Sequence, residues 1–280
     1  MYAVTGAAGH TGRAAVTALR ARGERVRAIV RTAERGKELA GPGVDVVAAD
    51  LEDPEALARA LSGVTGTFLV RPPATRAGGA VVARSFREAL TRVDAGRIVV
   101  LSSIGAQHAT GTGVVGGLHD LEQEVRQSGR PMTFLRAASF LENWLRMLGA
   151  VHARGVLPSL LPADFAFAQA AVADVGTTAA TLLLDGADER EIVNVEGPAM
   201  LSANDVALAI GRKLGKAVSV FPMPPDTQQG QLEAAGVPGP YAREVVELYR
   251  GILDGTVSWP SGEPVARGTT TLDAWAAASV

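Results

Sequence analysis

Short apolar runs alternate with longer amphipathic stretches through the first half of this chain. Residues 2–5 read as a strand and 11–22 as an Ala-rich helix. Residues 25–31 (Arg-Val-Arg-Ala-Ile-Val-Arg) alternate and then turn fully apolar, which suits a second strand, and 44–48 give a third. Asp53-Pro54-Glu55 has the chemistry of a helix start: an N-cap acceptor, a proline in the first turn and an acid that complements the helix dipole. Residues 67–70 form a fourth strand, ended by Arg71-Pro72-Pro73, and 78–92 a helix. Residues 97–101, the helix 118–127 closed by Ser128-Gly129, and 132–136 continue the alternation. Such nearly continuous Val/Ile/Leu strands, separated by helices, imply a parallel sheet covered on both faces. Beyond about residue 150 the pattern loosens. Residues 155–170 carry two prolines and no clear period. After them come a helix at 174–184, a strand at 191–195 and a turn at Gly197-Pro198. A helix at 202–214, with Ser202 before it and Gly215 after, precedes a strand at 217–221 and helices at 228–235 and 241–254.

The first strand runs straight into Gly6-Ala7-Ala8-Gly9-His10-Thr11-Gly12, three glycines at a spacing of three before a helix. A turn of this kind brings backbone N–H groups and the positive end of a helix dipole close to a pyrophosphate. The expected fold is therefore α/β, a Rossmann doubly wound parallel sheet with a smaller C-terminal α/β substrate lobe. Residues 1–150 form the dinucleotide-binding domain, to which the strand near 191–195 returns. Residues 151–280 are mostly a substrate lobe over the strand ends. Gly6, Gly9, His10, Thr11 and Gly12 form the phosphate turn. A carboxylate that would take a free 2′-hydroxyl is missing from the end of the second strand; Arg31 stands there instead, with Arg35 and Lys37 nearby. A guanidinium forks onto phosphate oxygens, so the expected cofactor is NADP(H). Asp50 and Leu51 are placed at the adenine, with a helix-flanking role open for Asp50. Val70 and Arg71 border the cofactor's middle, and Ser102 and Ser103 end the fifth strand beside the nicotinamide.

Composition removes other chemistries. Apolar residues make up 47% of the 280, enough for a sizeable core, and the net charge of −2 offers no field for nucleic acid or an anionic membrane. The absence of cysteine excludes disulfides, thiolate catalysis and Cys-ligated metals. The four histidines are not at metal-ligand spacing, so no metal is expected. With neither a leader-like start nor a spanning apolar run, the expected location is cytoplasmic. A homodimer stays open.

The glycine turn, Arg31, Ala49-Asp50-Leu51, the stretch His119-Asp120-Leu121-Glu122-Gln123-Glu124 and the segment 133–144 (Thr-Phe-Leu-Arg-Ala-Ala-Ser-Phe-Leu-Glu-Asn-Trp) together resemble the NmrA-like branch of the atypical short-chain dehydrogenase/reductases. Asp174, Asn194 and Gly197-Pro198 extend the likeness almost to the C-terminus. Segment 133–144 is its most specific part, with Ala137 where the family has proline; Ala138 follows as a cofactor contact. The Tyr-x-x-x-Lys pair of ordinary short-chain dehydrogenases is absent: Val115 and His119 take its two places. The resemblance implies hydride transfer from NADPH to a quinone or other conjugated or aromatic carbonyl. His119 is then the candidate proton donor or ribose contact, with Ser103 orienting the substrate oxygen, since imidazole titrates near neutral pH. Phe140, Asn143, Trp144, Phe165 and Phe167 are candidates for the pocket of a small apolar or aromatic substrate. Asn143 and Arg136 are placed to anchor a nicotinamide amide or a loop, and the loop-structural role is the favoured one for Arg136. A different class remains open, a non-catalytic NADP(H)-binding redox sensor, which the missing Tyr/Lys pair fits. An isomerase or dehydratase of secondary metabolism is a minor third.

Overall fold

The structure, a computed structural model, describes residues 1–186 and 190–280. Its first half alternates: β1 (Tyr2–Val4), α1 (His10–Ala21), β2 (Val26–Val30), the single turn α2 (Ala33–Gly36), β3 (Val44–Ala48), α3 (Pro54–Leu61), β4 (Gly66–Leu69), α4 (Arg76–Arg92), β5 (Arg97–Ser103), α5 (Gly116–Arg126) and β6 (Met132–Ala137). Then come β7 (Ser139–Phe140), a 3-10 stretch (Leu141–Met147), α6 (Leu148–Arg154), β8 (Val156–Ser159), β9 (Phe167–Ala170), α7 (Val172–Asp185), β10 (Ile192–Glu196) and β11 (Met200–Leu201). The chain ends with α8 (Ala203–Leu214), β12 (Ser219–Pro222), α9 (Gln228–Ala234), α10 (Gly239–Leu253), β13 (Val265–Arg267) and α11 (Leu272–Ser279).

Eight strands form one sheet in the order β3-β2-β1-β4-β5-β6-β10-β13, with every neighbouring pair parallel. This is the Rossmann arrangement expected from the alternation, and β10 does rejoin the sheet. Side chains alternate between the faces, as strand geometry demands. Val4, Phe68, Val99 and Leu135 pack on the side of α1 and α7. Ala3, Leu69, Val100 and Phe134 pack toward α3, α4 and α5. The strand order reverses between β1 and β4, and such a reversal opens a crevice at the carboxyl ends of the strands.

The structure differs from the sequence reading in the second half. Residues 155–170 hold β8 and β9, and β13 and α11 were not expected. β8 is short, contains Pro158 and pairs with the distant β12, so tertiary pairing and not local pattern makes it a strand. The stretch after β6 is the short strand β7 followed by 3-10 turns. The smaller lobe has its own core, in which Trp144 and Phe167 meet Val206 and Ile210 of α8 and Trp275 of α11. No helix among the described residues is long and apolar enough to cross a membrane.

Candidate functional site

A cavity of 590 Å³ lies at the β1/β4 switch point. Its floor is the glycine turn. Gly6 adopts φ +59°, a left-handed conformation that favours glycine, and a Cβ on Gly12 would lie 2.3 Å from the Gly6 carbonyl oxygen. The turn can close only without those side chains. Thr5 locks it from below: its Oγ1 donates to the Val70 carbonyl at 2.9 Å and accepts the Val70 N–H at 2.7 Å. Gly9, the N-cap of α1, offers no side-chain acceptor, and the first turn carries no acid. The first amides of α1 are therefore left for an outside acceptor, at the positive end of the helix dipole.

Arg31 and Arg35 line the same cavity. α2 presents Arg35 because Gly36 lets the helix sit on the sheet: a Cβ there would lie 2.3 Å from Val46 Cγ1. Neither guanidinium makes a hydrogen bond or ion pair among the described residues, whereas Lys37 is paired with Glu34 at 2.6 Å. Asp50 and Leu51 line the cavity next to Val82 of α4. The Asp50 carboxylate accepts the Glu52 N–H at 3.0 Å, so it also shapes its own turn.

At the other end the walls are Val70, Arg71, Leu101, Phe140, Asn143 and Leu145, with Glu142 and Arg146 beside them. Glu142 belongs to the segment 133–144, but nothing in its sequence context marks it as a residue of the cavity. Burial pushes its carboxyl up, against the hydrogen bonds from its own and the Val172 N–H groups and the charge of nearby His10. Its Oε2 accepts the Val172 N–H at 3.1 Å. Arg146 and Leu101 also escaped the sequence reading; only the fold shows that the 3-10 stretch and β5 meet there.

Other candidates stand off the cavity lining. Ser102 is buried, and its hydroxyl donates to Glu122 Oε1 at 2.6 Å. The same carboxylate takes a bidentate pair from Arg136, with Nε at 2.9 Å and Nη2 at 2.7 Å. This buried brace ties β5 and β6 to α5, so Arg136 has the structural role and the Ser102 hydroxyl points into the brace. Ala138 is buried, with its N–H on the Val195 carbonyl at 2.9 Å. Trp144 donates its indole N–H to Gln169 Oε1 at 2.7 Å inside the smaller lobe, where Phe167 is also buried and Phe165 half-buried at the margin. Ser103 and His119 are also outside the lining and, among the described residues, are linked only through Ala106, and the Ser103 hydroxyl donates to the Ile104 carbonyl at 3.1 Å. His119 Nδ1 lies 2.9 Å from the Ala106 carbonyl, and the Ala106 N–H donates to the Ser103 carbonyl at 3.1 Å. An oxygen acceptor at Nδ1 places the hydrogen on that nitrogen, leaving Nε2 as the free position.

The chain was compared with known proteins. The model of the NmrA-like family matches residues 2–258. The NAD(P)H azoreductase of Xenophilus azovorans is 27% identical over 288 residues, covering 99% of each chain. The (4-alkanoyl-5-oxo-2,5-dihydrofuran-3-yl)methyl phosphate reductase of Streptomyces griseus is 32% identical over 217 residues, covering 77% of this chain and 74% of that one. The crystal structure of the NADPH-dependent quinone oxidoreductase QOR2 from Escherichia coli, complexed with NADPH, superposes with a TM-score of 0.82 at 24% identity and covers 99% of each chain. A family match across nearly the whole length, on a fold with the same span, places this chain in the NmrA-like family.

Proposed function

We propose that this protein is an NADPH-dependent oxidoreductase that reduces a quinone or another conjugated or aromatic carbonyl. One observation carries the reading: a single cavity runs from an unpaired arginine couple, across an uncapped glycine turn, to an apolar wall. The names of the three compared proteins, two of them NAD(P)H-dependent and all of them reductases or oxidoreductases, support it.

The residues present fit the cofactor. The free α1 amides take the pyrophosphate, with Gly9, its own N–H held by the Gly6 carbonyl at 2.9 Å, leaving the approach open; Arg31 and Arg35 take the 2′-phosphate, and Leu51 and Val82 the adenine. When bound, NADPH supplies the hydride. Leu101, Phe140 and Leu145 give the acceptor a dry apolar wall, which favours a flat ring and keeps water from the transfer. Ser103 and His119 serve the oxygen that gains charge. With Nδ1 held on the Ala106 carbonyl, the neutral ring can accept a hydroxyl at Nε2, and the imidazolium can donate a proton there.

The test is NADPH consumption with a panel of quinones and aromatic ketones, alongside calorimetric binding of NADP+ and NADPH. Turnover of at least one quinone is expected, with a reduced rate in His119→Ala and Ser103→Ala. Tight cofactor binding with no turnover on any acceptor would transfer the assignment to a redox sensor.

A further inference from the structure

Arg71 lines the cavity where β4 ends, yet its side chain has almost nothing to hold. Nη1 reaches only the carbonyl of the adjoining Pro72, at 3.3 Å. Nε is sealed from solvent without a hydrogen-bond partner. No carboxylate forms an ion pair with the guanidinium among the described residues. The two acids nearest to serving it are already engaged. Glu244 accepts the Arg76 N–H, with its two oxygens at 3.0 and 3.2 Å, and Asp120 takes the Arg76 guanidinium, with Nη2–Oδ1 at 2.7 Å.

The chain nevertheless makes room for this cation. A Cβ on Gly79 of α4 would lie 2.9 Å from Arg71 Nη1, and one on Gly117 of α5 would lie 2.9 Å from Nη2. The guanidinium is thus wedged between the first turns of two helices, and neither first turn contains an acid. Helix N-termini carry partial positive charge; that of α4 is met by Glu244 and Thr75, whereas α5 has no side-chain cap and adds to the charge that needs an answer. Burial pulls the Arg71 pKa down, against the pull of Tyr241, Glu244 and Asp120. A half-buried cation with one nitrogen sealed and unpartnered is costly unless a counter-ion arrives. The cofactor's phosphates have other receptors, at the α1 amides and the Arg31/Arg35 couple. Arg71 lines the cavity together with Leu101, Phe140 and Leu145, the wall assigned to the acceptor.

We propose that the Arg71 guanidinium is the receptor for an anionic oxygen group on the substrate: a carboxylate, sulfonate or phosphate attached to the ring that is reduced. This rests on the oxidoreductase reading for the identity of the site, and on the unpaired guanidinium for the charge. The preferred substrate is then not wholly apolar. It has a flat apolar body against Phe140 and Leu145 and one anionic arm.

The probes are naphthalene-2-sulfonate and its neutral counterpart 2-acetylnaphthalene, titrated calorimetrically into the NADP+-loaded protein, and 1,4-naphthoquinone with and without a 2-sulfonate as acceptors. The sulfonate should bind about tenfold more tightly than the neutral ligand, the worth of a charge-assisted hydrogen-bond pair. Arg71→Gln should abolish that preference and lower the sulfonated-to-neutral ratio of kcat/KM by about the same factor, whereas Arg71→Lys should retain part of it. If Arg71→Gln does not fold, Arg71→Lys alone must still weaken the preference. A sulfonate preference that survives substitution of Arg71, or that is absent from the wild type, overturns the proposal. So does a loss of NADP+ affinity in Arg71→Gln with the sulfonate preference intact. Failure of every quinone to turn over, with the preference present and dependent on Arg71, would remove the reductase reading and keep the anion site. Turnover without the preference would do the reverse.

Discussion

Arg31 directly follows β2 with its guanidinium free of any partner among the described residues, and Arg35 faces the same cavity from α2. Neither contributes an ion pair to the fold, so their removal should register in binding and not in stability. Arg31→Ala is expected to weaken NADPH by about tenfold while changing NADH by less than about twofold, as the loss of a charge-assisted contact to a 2′-phosphate requires. Calorimetric titration of both cofactors measures it, and equal losses would sink the assignment of Arg31 to the phosphate. Arg31 was legible in the sequence because strand ends and glycine turns are local features. Gly6 to Gly12, Arg31, Asp50, Leu51, Val70 and Arg71 all follow from knowing where a strand stops. The Ser102 hydroxyl was not legible, because its direction is decided by Glu122, which only the packing of α5 on β5 brings near. Glu142 and Arg146 face the cavity through a 3-10 stretch, whose side-chain directions a helical period misassigns.

At the scale of elements, local chemistry sets the helix ends well. α3 starts at Pro54 with Asp53 Oδ1 accepting the Glu55 N–H at 2.9 Å and the Ala56 N–H at 3.1 Å, as Asp53-Pro54-Glu55 announced. α8 carries a full capping box. Ser202 Oγ accepts the Asp205 N–H at 3.2 Å, and Asp205 Oδ2 accepts the Ser202 N–H at 2.8 Å. The Ser202 hydroxyl, and then its N–H, hold the Asp205 carboxyl below its ordinary value. A carboxyl whose pKa is lower in the folded state binds fewer protons there than in the unfolded chain. Its contribution is therefore complete above the unfolded carboxylate pKa and disappears as pH falls through the lowered folded value. Asp205→Asn should cost no more than about 0.5 kcal/mol at neutral pH, since the carboxylate is exposed and screened, and nothing once the native carboxyl is protonated. Urea titrations of both proteins across the acid range measure this; a difference that stays constant with pH would separate the cap from the charge. Caps could be read because they need only four or five consecutive residues. β8, β9 and β13 could not, because each is short and each exists by pairing with a strand remote in the chain, β12, β11 and β10 respectively.

The second half of the chain is clasped to the main sheet instead of standing apart from it. Glu196 on β10 accepts the Trp259 indole N–H at 2.7 Å and pairs with Arg267 of β13 at 3.0 Å. Asp174 on α7 accepts the Thr270 N–H at 3.0 Å and its hydroxyl at 2.9 Å. The clasp is close: a Cβ on Gly268 would lie 2.3 Å from Asp174 Oδ2. On the opposite face a Cβ on Gly176 would lie 2.5 Å from the Ala14 carbonyl carbon, so α7 presses directly on the helix that follows the glycine turn. The cavity is walled by the first half alone, from Gly6 to Arg146, but the 3-10 stretch that supplies Asn143 to Arg146 also sends Trp144 into the core of the smaller lobe. This architecture predicts one cooperative unfolding transition. Trp144 and Trp275 lie in the core of the smaller lobe and Trp259 packs against the main core, so fluorescence is weighted toward the lobe, while far-ultraviolet circular dichroism reports every helix. The two midpoints in urea should coincide, and NADPH at about a hundredfold over its Kd should raise stability by about 2.7 kcal/mol in both signals together. A tryptophan transition that precedes the loss of helix, or a cofactor effect confined to the dichroism, would mean that the lobe opens by itself and that the clasp at Glu196 and Asp174 does not hold the two halves in register.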